Sequence, residues 1–388
     1  MRKEGIRMDM SVMCLMHNFI RFGFMFLSLF FGLLLQSTTG RDLKFVVAVF
    51  RHGDRTPIGT FPTNTVKKET WPEGYGQLTK IGMKQHYDLG KYIRKRYPKL
   101  LSAEYNQKEI YVQSTDYERT IMSAQANLAG LFRPIGCRAL NNKVRWQPIP
   151  IHTVPRAQEK LLSYPTRTCK RFYVLLKETM AAKQTLGQVQ SHMKFIAEMA
   201  SFMGYDVKAL LDFTNQKFWN AYDALLVQKI HKQPMPNWAS CQAMRKMKKL
   251  LGFAVSAMFG VHKREEKSRL QGGVLVKAIL DDIGKAADGA SELKMKMYSG
   301  HDMTLVALQV ALNVFDAKLP PYAACHFFEL YKEDSGEHTI EMYYRTKPKA
   351  EPHPLTLPGC SKSCPLAKFK ELVSPIIADN VEEECNKV

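Results

Sequence analysis

Two arginines, a histidine and an aspartate fall within five consecutive residues, Arg51-His52-Gly53-Asp54-Arg55. They follow residues 43–50, an apolar run with one lysine that predicts a strand buried on both faces. Gly53 permits a tight turn there, and Pro57 prevents the strand from continuing. Ligands of open α/β sheets bind at the carboxyl ends of strands. A histidine between two guanidinium groups at such a point suits a phosphate ester, because the arginines can bind its oxygens while the imidazole faces phosphorus.

A predicted strand followed by a charged corner and a helix occurs twice more along the sequence. A strand predicted over residues 110–114 leads to Arg119 in the first turn of a helix, where a cation is electrostatically disfavoured. A bound phosphate or a salt bridge to Asp116 would each explain that arginine. A strand over residues 293–298 leads to His301-Asp302 and another helix. Such repeats predict a parallel sheet whose corners share one edge, so three charged corners favour a site where one alone could be a solvated loop.

Other segments carry clear helical and hairpin patterns. A helix over residues 80–97 is predicted to follow the N-cap Thr79. Residues 156–267 predict helices and no strands, forming an insertion that covers the sheet edge. Residues 327–331 and 338–345 predict a β-hairpin. The first helix is expected to face inward through Ile81, Leu89, Tyr92 and Ile93. In the insertion, an apolar stripe (Met244, Met247, Leu250, Leu251) opposite basic residues (Arg245, Lys246, Lys248, Lys249) is typical of a core-facing helix with a solvated basic face.

The composition predicts a folded, strongly basic protein. The 388 residues, 45% of them hydrophobic, are enough for one large domain or two unequal ones, and they exclude wholesale disorder. The formal net charge of +20 attracts anionic partners and steers acidic substrates without determining the fold. Contact with a polyanion is therefore an open prediction, while a specific nucleic-acid partner is not predicted.

Residues 1–40 predict a secretory signal peptide. Residues 22–35 are uncharged, and this run is shorter than the ~20 apolar residues of a membrane span. Small residues follow at positions 37–40, where a signal peptidase could cut. Because the leader is long, an uncleaved anchor remains the alternative. After cleavage we expect no transmembrane anchor and a location in the secretory pathway.

The cysteines agree with an oxidising compartment. Seven remain after the leader, an odd number, so at least one is expected to stay unpaired. Cys360 and Cys364 predict a small looped disulfide, because no second Cys or His pair lies nearby to complete a zinc site. The histidines after the leader also lack metal-ligand spacing, so we expect no metal and no cofactor.

The motif Arg51-His52-Gly53-x-Arg55-x-Pro57, with the later His301-Asp302, resembles the signature of the histidine acid phosphatases. The likeness covers nearly the whole chain after the leader. The other segments that carry it are WPEGYGQLT, STDYERT, WQPIPIHTVP, EKSRLQGGVLV, PPYAACH and LPGCSKSCPL.

The resemblance implies an α/β fold with a mainly parallel sheet flanked by helices, like that of phosphoglycerate mutase. Residues 41–155 and 268–388 would form the catalytic domain, and residues 156–267 the mostly α-helical insertion. The implied activity is metal-independent acid hydrolysis of phosphate monoesters, with His52 forming a phosphohistidine and Asp302 protonating the leaving alcohol. The residues implied to bind the phosphoryl oxygens are Arg51, Arg55, Arg119 and His301. The alternative is a basic secreted polyanion-binding protein with little or no turnover.

The family pattern further implies disulfides Cys169–Cys385 and Cys360–Cys364, a secreted or lysosomal location, and a homodimer. Trp146 and His152 match positions at a relative's dimer contact. The sequence departs from the family at Gly300, Met303 and Gln113, where alanine, threonine and arginine are usual. The usual partner of Cys325 is missing, with Val227 at its place, which leaves Cys241 as a substitute. The physiological substrate is not specified.

Overall fold

The computed structural model describes residues 40–387, except 135–138, 140–143, 145, 167 and 213–215. The signal peptide predicted over residues 1–40, apart from Gly40, and Cys137 therefore lie outside the described residues. Within the described part, no helix is long and apolar enough to cross a membrane. The elements described below belong to one compact unit, Arg41–Arg133 with Pro148–Val388.

A mixed sheet of seven described strands forms the centre of this unit. The strands are β1 (Asp42–Arg51), β2 (Ile110–Ser114), β3 (Met295–Gly300), β4 (Cys325–Lys332), β5 (His338–Arg345), β6 (His353–Leu355) and β7 (Cys364–Pro365). Their order is β2-β3-β1-β4-β5-β6, and β7 also pairs with β5. Strands β1 and β2 each run parallel to β3, whereas the other pairs are antiparallel. The parallel portion of the sheet is thus confined to the three strands that precede the charged corners.

The α-helices of the described chain lie on both sides of this sheet and in a separate helical region. They are α1 (Lys80–Arg96), α2 (Glu118–Leu131), α3 (Lys170–Ala181), α4 (Lys183–Ser191), α5 (Met193–Met203), α6 (Val207–Leu211), α7 (Lys217–Ile230), α8 (Cys241–Ser256), α9 (Arg264–Leu270), α10 (Gly272–Ala287), α11 (Asp302–Ala311), α12 (Leu366–Val373) and α13 (Val381–Asn386). A π-helical turn, Ala257–Val261, follows α8 directly.

Strand β1 is buried on both faces, as its apolar run predicts. Phe45, Val47 and Val49 pack in a core with residues of α10 and α11. Val46 and Phe50, which point to the other face, pack with residues of α1 and α2. Because side chains alternate along a strand, this one segment supplies both hydrophobic layers.

Helix α1 begins after Thr79, whose side chain accepts a hydrogen bond from the backbone of Gly82, as predicted for an N-cap. The expectation that Ile81 faces inward is wrong, since this side chain is 41% exposed. The buried face instead runs through Gly82, Leu89 and Ile93. Helix α1 packs so closely on the turn after β1 that glycine is needed at the contact, at Gly82. Ile81 is one residue away on the helix, so its side chain points about 100° away from the packed face.

Between residues 156 and 267 the described chain forms helices α3 to α9 and short helical turns, without a strand. Helices α5 to α8 share a hydrophobic core that includes Ile196, Leu225 and Met247, whereas α3 and α9 pack with residues of α11. On α8 the predicted apolar residues Met244 and Met247 are buried, while all four basic residues of its other face are exposed.

The two predicted disulfides, Cys169–Cys385 and Cys360–Cys364, are both present. The suggestion that Cys241 replaces the missing partner of Cys325 is wrong, since both cysteines are free. Cys325 is buried in β4, between two neighbouring strands, whereas Cys241 is exposed at the start of α8.

Candidate active site

The three charged corners meet at one edge of the sheet because the strands before them are parallel and in register. Arg51 lies opposite Gly300, and Ser114 lies opposite Ser299. The backbone N–H of His52 donates to the carbonyl of Gly300 over 3.0 Å, which extends this pairing by one residue. The predicted convergence of the corners is therefore confirmed.

The His52 imidazole is held in one tautomer. Its Nδ1 lies 2.8 Å from the carbonyl oxygen of Gly53, and the residue is only 2% exposed. A carbonyl oxygen can only accept, so Nδ1 carries the proton and Nε2 keeps its lone pair. The uncharged ring therefore presents a nucleophilic nitrogen while its other nitrogen fixes the ring orientation.

The turn that carries His52 packs directly on the start of α1. A Cβ atom added to Gly53 would lie 2.5 Å from the carbonyl oxygen of Gly82, so a larger residue at this contact would displace backbone. His86 of α1 donates from Nε2 to the carbonyl of Arg51 over 3.0 Å. The fully buried carboxylate of Asp54 accepts from Nε2 of His231 over 2.7 Å, which ties the turn to the end of α7.

Three guanidinium groups surround His52, and each has a buried Nε atom with no hydrogen-bond partner among the described residues. Arg51 donates to the carbonyl of Pro320 over 2.6 Å and pairs with Asp302 over 3.0 Å. Arg55 forms a two-pronged ion pair with Asp223, at 2.8 and 2.9 Å. Buried donors are almost always satisfied, so three orphaned N–H groups around one imidazole indicate a site built for an anion.

Arg119 lies in the first turn of α2, as predicted. Its guanidinium carbon lies 4.6 Å from the ring centroid of Tyr117, and in the described chain no ion pair joins it to Asp116. Of the two explanations for this arginine, the salt bridge to Asp116 is therefore wrong. Burial and then Arg55 lower the pKa of Arg119 to about 10, so it remains a cation in acid.

His301 is positioned by a chain of hydroxyl groups. Its Nε2 lies 3.0 Å from Oγ1 of Thr115, which in turn lies 2.9 Å from Oγ1 of Thr120. The Thr120 hydroxyl donates to backbone carbonyls, so it accepts from Thr115. The Thr115 oxygen then accepts from His301, which places the proton of a neutral His301 on Nε2. The other ring nitrogen can donate to a ligand only when the imidazole is charged.

Burial and the arginines set the protonation of this site. Burial, with further contributions from Arg51 and Arg119, holds the pKa of His52 well below its usual 6.5. Burial, reinforced by Arg119, lowers the pKa of His301 to about 3. Burial alone would raise the pKa of Asp302, but Arg51 and Arg55 outweigh it and hold that pKa below its usual value. Without a ligand, the site therefore has neutral imidazoles and an ionised carboxylate among three cations.

Five of the six predicted residues, His52, Arg55, Arg119, His301 and Asp302, line one cavity of about 510 Å³. The sixth, Arg51, contacts Asp302 from the side. The rings of His52 and His301 lie 5.6 Å apart, centroid to centroid. Among the described residues, no group of three or more His, Cys, Asp or Glu is arranged to hold a metal ion.

Sequence reasoning missed two residues at this site. Asp223 of α7 pairs with Arg55, and its only sequence signal is a single charge within the otherwise uncharged residues 218–227. Tyr322 lies beside the nucleophile, with its ring centroid 5.9 Å from that of His52 and 4.2 Å from the guanidinium carbon of Arg51. It belongs to the segment PPYAACH, which carried the family likeness but no assigned role.

Replacing Asp223 with alanine is expected to destabilise the protein by about 3–5 kcal/mol, because it leaves the buried Arg55 guanidinium without its carboxylate. Both side chains are less than 10% exposed. Chemical denaturation would measure the loss. The double variant Arg55→Met with Asp223→Leu should regain most of the stability, since an apolar pair can replace a buried ion pair. A loss below about 1 kcal/mol, the range of exposed pairs, would contradict this assignment.

Replacing His326 with phenylalanine is expected to stabilise the protein increasingly as the pH falls from 7 to 4. His326 is fully buried against Phe328, and burial, with His353, lowers its pKa to about 3. Between pH 6.5 and 3 the unfolded chain takes up a proton that the folded chain refuses, so wild-type stability falls with pH. The variant should gain about 3 kcal/mol relative to wild type by pH 4. Denaturation at several pH values tests this, and a difference independent of pH would show that His326 does not remain neutral.

Comparison with known proteins agrees with the geometry. The family model described as the histidine phosphatase superfamily, branch 2, matches residues 42–345. Lysosomal acid phosphatase of Xenopus laevis is 47% identical over 346 residues, which cover 89% of this chain and 79% of the relative. Prostatic acid phosphatase of Homo sapiens is 46% identical over 363 residues, which cover 94% of this chain and 92% of the relative. The apo form of Hafnia alvei phytase superposes with a TM-score of 0.67 at 18% identity, over 89% of this chain and 98% of the phytase.

Proposed function

The chain belongs to branch 2 of the histidine phosphatase superfamily, and we propose on that basis that it is an acid phosphatase that hydrolyses phosphate monoesters through a phosphohistidine. The observation that carries the mechanism is a histidine whose Nε2 keeps its lone pair, beside three arginines whose buried Nε atoms have no hydrogen-bond partner among the described residues. Preorganised cations stabilise the charge of a transferring phosphoryl group, so the arginines supply what a metal ion supplies in other phosphatases.

In the first chemical step, Nε2 of His52 attacks phosphorus. The nitrogen–phosphorus bond forms as the bond from phosphorus to the ester oxygen breaks, and Asp302 gives its proton to that oxygen. Water then attacks the phosphohistidine while Asp302 takes a proton from it, which releases phosphate and regenerates His52. Arg51, Arg55, Arg119 and His301 hold the phosphoryl oxygens throughout.

Substrate binding enables Asp302 to take up from solvent the proton that it later donates. In the free site, Arg51 and Arg55 keep this carboxylate ionised. A phosphate ester bound to the same guanidinium groups neutralises their charge and adds its own, so it raises the proton affinity of Asp302. A bound phosphate ester also raises the proton affinity of His301, because the second ring nitrogen can donate to a phosphoryl oxygen only when the imidazole is charged. Acid conditions favour both protonations, while the low pKa of His52 keeps the nucleophile uncharged there.

The two disulfides support action in an oxidising compartment, and the names of the relatives indicate a secreted or lysosomal location. We also propose a homodimer, supported by the 43% exposure of the large apolar Trp146, one of the residues at the family's dimer position. The +20 charge is consistent with polyanion contact as a secondary property.

Hydrolysis of p-nitrophenyl phosphate by the purified mature protein at about pH 5 tests the proposed activity. We expect turnover that survives dialysis against EDTA, since His52 and the arginines perform the chemistry. Activity that disappears with EDTA and returns with a divalent cation would overturn the metal-independent mechanism. Tight, salt-sensitive heparin binding without turnover would instead favour the polyanion-binding alternative.

A further inference from the structure

The catalytic cavity has a second, apolar part whose function the phosphatase chemistry leaves unexplained. Beyond the phosphate-binding residues, its walls come mainly from the helical region. Helix α8 contributes Leu250, Leu251, Ala254 and Val255, which recur at helical spacing on one face, and the π-helical turn after it contributes Met258. Helices α3 to α7 complete the wall, mainly with leucine, valine, isoleucine and aromatic side chains. We call this part the apolar arm.

The apolar arm begins where the leaving group departs. Met303 follows the proton donor Asp302 directly, lines the same cavity as Trp219 and Met258, and packs against the same hydrophobic cluster as they do. The ester oxygen must lie beside the Asp302 carboxyl group to receive its proton. The alcohol attached to that oxygen therefore passes Met303 and enters the part of the cavity that Trp219 and Met258 also line.

The chemistry of the walls selects the kind of alcohol. A nucleoside, a sugar or a peptide backbone would need hydrogen-bond partners for each polar group that it buries. Beyond the phosphate-binding residues, the charged and amide side chains of the described lining are those of Asp212, Gln216 and Lys217, and all three are exposed or half-buried. Its hydroxyl groups are those of Tyr117, Ser163, Tyr164 and Tyr173. Most of the remaining lining is hydrocarbon, which rewards burial of methylene groups.

We propose that the apolar arm binds the hydrocarbon chain of the substrate, so that the enzyme prefers phosphate monoesters of long-chain alcohols over those of short or polar ones. This inference rests on the proposed phosphatase function and names the substrate class of that same site. Met303, next to the proton donor Asp302, is the specificity-determining residue at the start of the arm.

A series of n-alkyl phosphates from methyl to decyl, used below their critical micelle concentrations, tests the proposal. Each methylene buried in the arm should raise kcat/KM by up to about fourfold. We expect at least about a tenfold rise from butyl to octyl phosphate, mostly through KM, because the chain is bound equally in ground and transition states. A kcat/KM that does not change with chain length, in an enzyme that hydrolyses p-nitrophenyl phosphate, would overturn the inference and leave the phosphatase function intact.

Two substitutions on α8 test whether the dependence of kcat/KM on chain length arises in the apolar arm. Phe253 and Ala254 are half-buried, line the cavity and belong to none of the hydrophobic clusters of the described chain, so changing them spares the core. Ala254→Phe fills the arm and Phe253→Asn makes its wall polar, and each should lower the octyl-to-butyl ratio of kcat/KM. The matched control is Leu186→Asn, at a 53% exposed position outside the cavity, which should leave the ratio unchanged. An unchanged octyl-to-butyl ratio in both α8 variants would show that the hydrocarbon chain of the substrate does not bind in the apolar arm.

Binding of non-hydrolysable alkyl phosphonates, measured by calorimetry, separates the two proposals. Octyl phosphonate should bind at least about tenfold more tightly than butyl phosphonate, whether or not the protein turns over. If no phosphate ester is hydrolysed but the phosphonates show this trend, the phosphatase function fails and the apolar arm stands. If turnover is normal and the two phosphonates bind equally, the proposal that the apolar arm binds a hydrocarbon chain is overturned and the phosphatase function stands.

Discussion

Replacing His52 with alanine is expected to lower kcat/KM for every phosphate monoester by roughly 10⁴-fold or more. The variant keeps the cations that bind phosphate but has no nitrogen to form the covalent intermediate. Because the phosphoryl-binding groups remain, phosphate should still bind and raise the melting temperature of the variant. Steady-state kinetics with one aryl and one alkyl phosphate, together with thermal unfolding with and without phosphate, would measure both effects.

The matched control is His353→Ala, an exposed histidine on β6 that does not line the cavity, and it should retain wild-type kinetics. Rapid quenching of wild type with a labelled substrate should trap protein-bound phosphate that survives alkali and is lost in acid, as a phosphoramidate does. In His52→Ala, neither the amount of protein-bound labelled phosphate nor the turnover should rise above background. Substantial turnover by His52→Ala would exclude His52 as the nucleophile.

The strands and corners of this site could be predicted because their determinants are local in sequence. An apolar run that ends at Arg51 specifies a buried strand, and the glycine and proline after it specify a turn. Repetition of the same order before Arg119 and His301 then predicts that the three turns meet, since parallel strands share an edge. The structure differs mainly at the other side of the sheet, where β4 to β7 are antiparallel.

The partners of these residues could not be predicted, because they come from segments that only tertiary packing brings near. Asp223 lies 168 positions from Arg55 in the chain, on a helix whose own periodicity indicates nothing beyond amphipathic packing. Tyr322 approaches His52 because β4 returns beside β1. The sequence of the turn before β4 does not reveal that the ring of Tyr322 will lie against Arg51.

The choice between a salt bridge and a phosphate ligand for Arg119 shows the same limit. Sequence spacing places Asp116 near enough for a salt bridge, but it does not show which way either side chain points. In the structure the guanidinium group lies against Tyr117 and faces the cavity, with its Nε unpartnered among the described residues. The direction of a side chain depends on the neighbours that bury it, and here these include Tyr117 of the same corner.

Asp302 has two tasks that call for opposite protonation states. As a carboxylate it pairs with Arg51 over 3.0 Å and accepts the backbone N–H of Met303 over 2.8 Å. As a carboxylic acid it must give a proton to the leaving oxygen. The ion pair with Arg51 resolves this conflict, because a bound phosphate ester competes for the same guanidinium group and weakens its hold on the carboxylate. Proton donation then becomes available only when a substrate is in place.

Replacing Asp302 with asparagine is therefore expected to divide substrates by leaving group. The amide keeps the shape and the acceptor oxygen of Asp302 but has no proton to transfer. Alkyl phosphates, whose leaving alkoxides need that proton, should lose roughly 10²–10⁴-fold in kcat, while p-nitrophenyl phosphate should lose far less because its leaving group departs as a stable anion. For alkyl phosphates, the residual rate of the variant should also fall less steeply than that of wild type on the alkaline side, because the variant has no Asp302 proton to lose. Kinetics at several pH values would test both effects, with Asp334→Asn in the exposed β4–β5 turn as the matched control. Equal losses on both substrate classes would assign Asp302 to phosphate binding or packing, and the proton would have to come from another group.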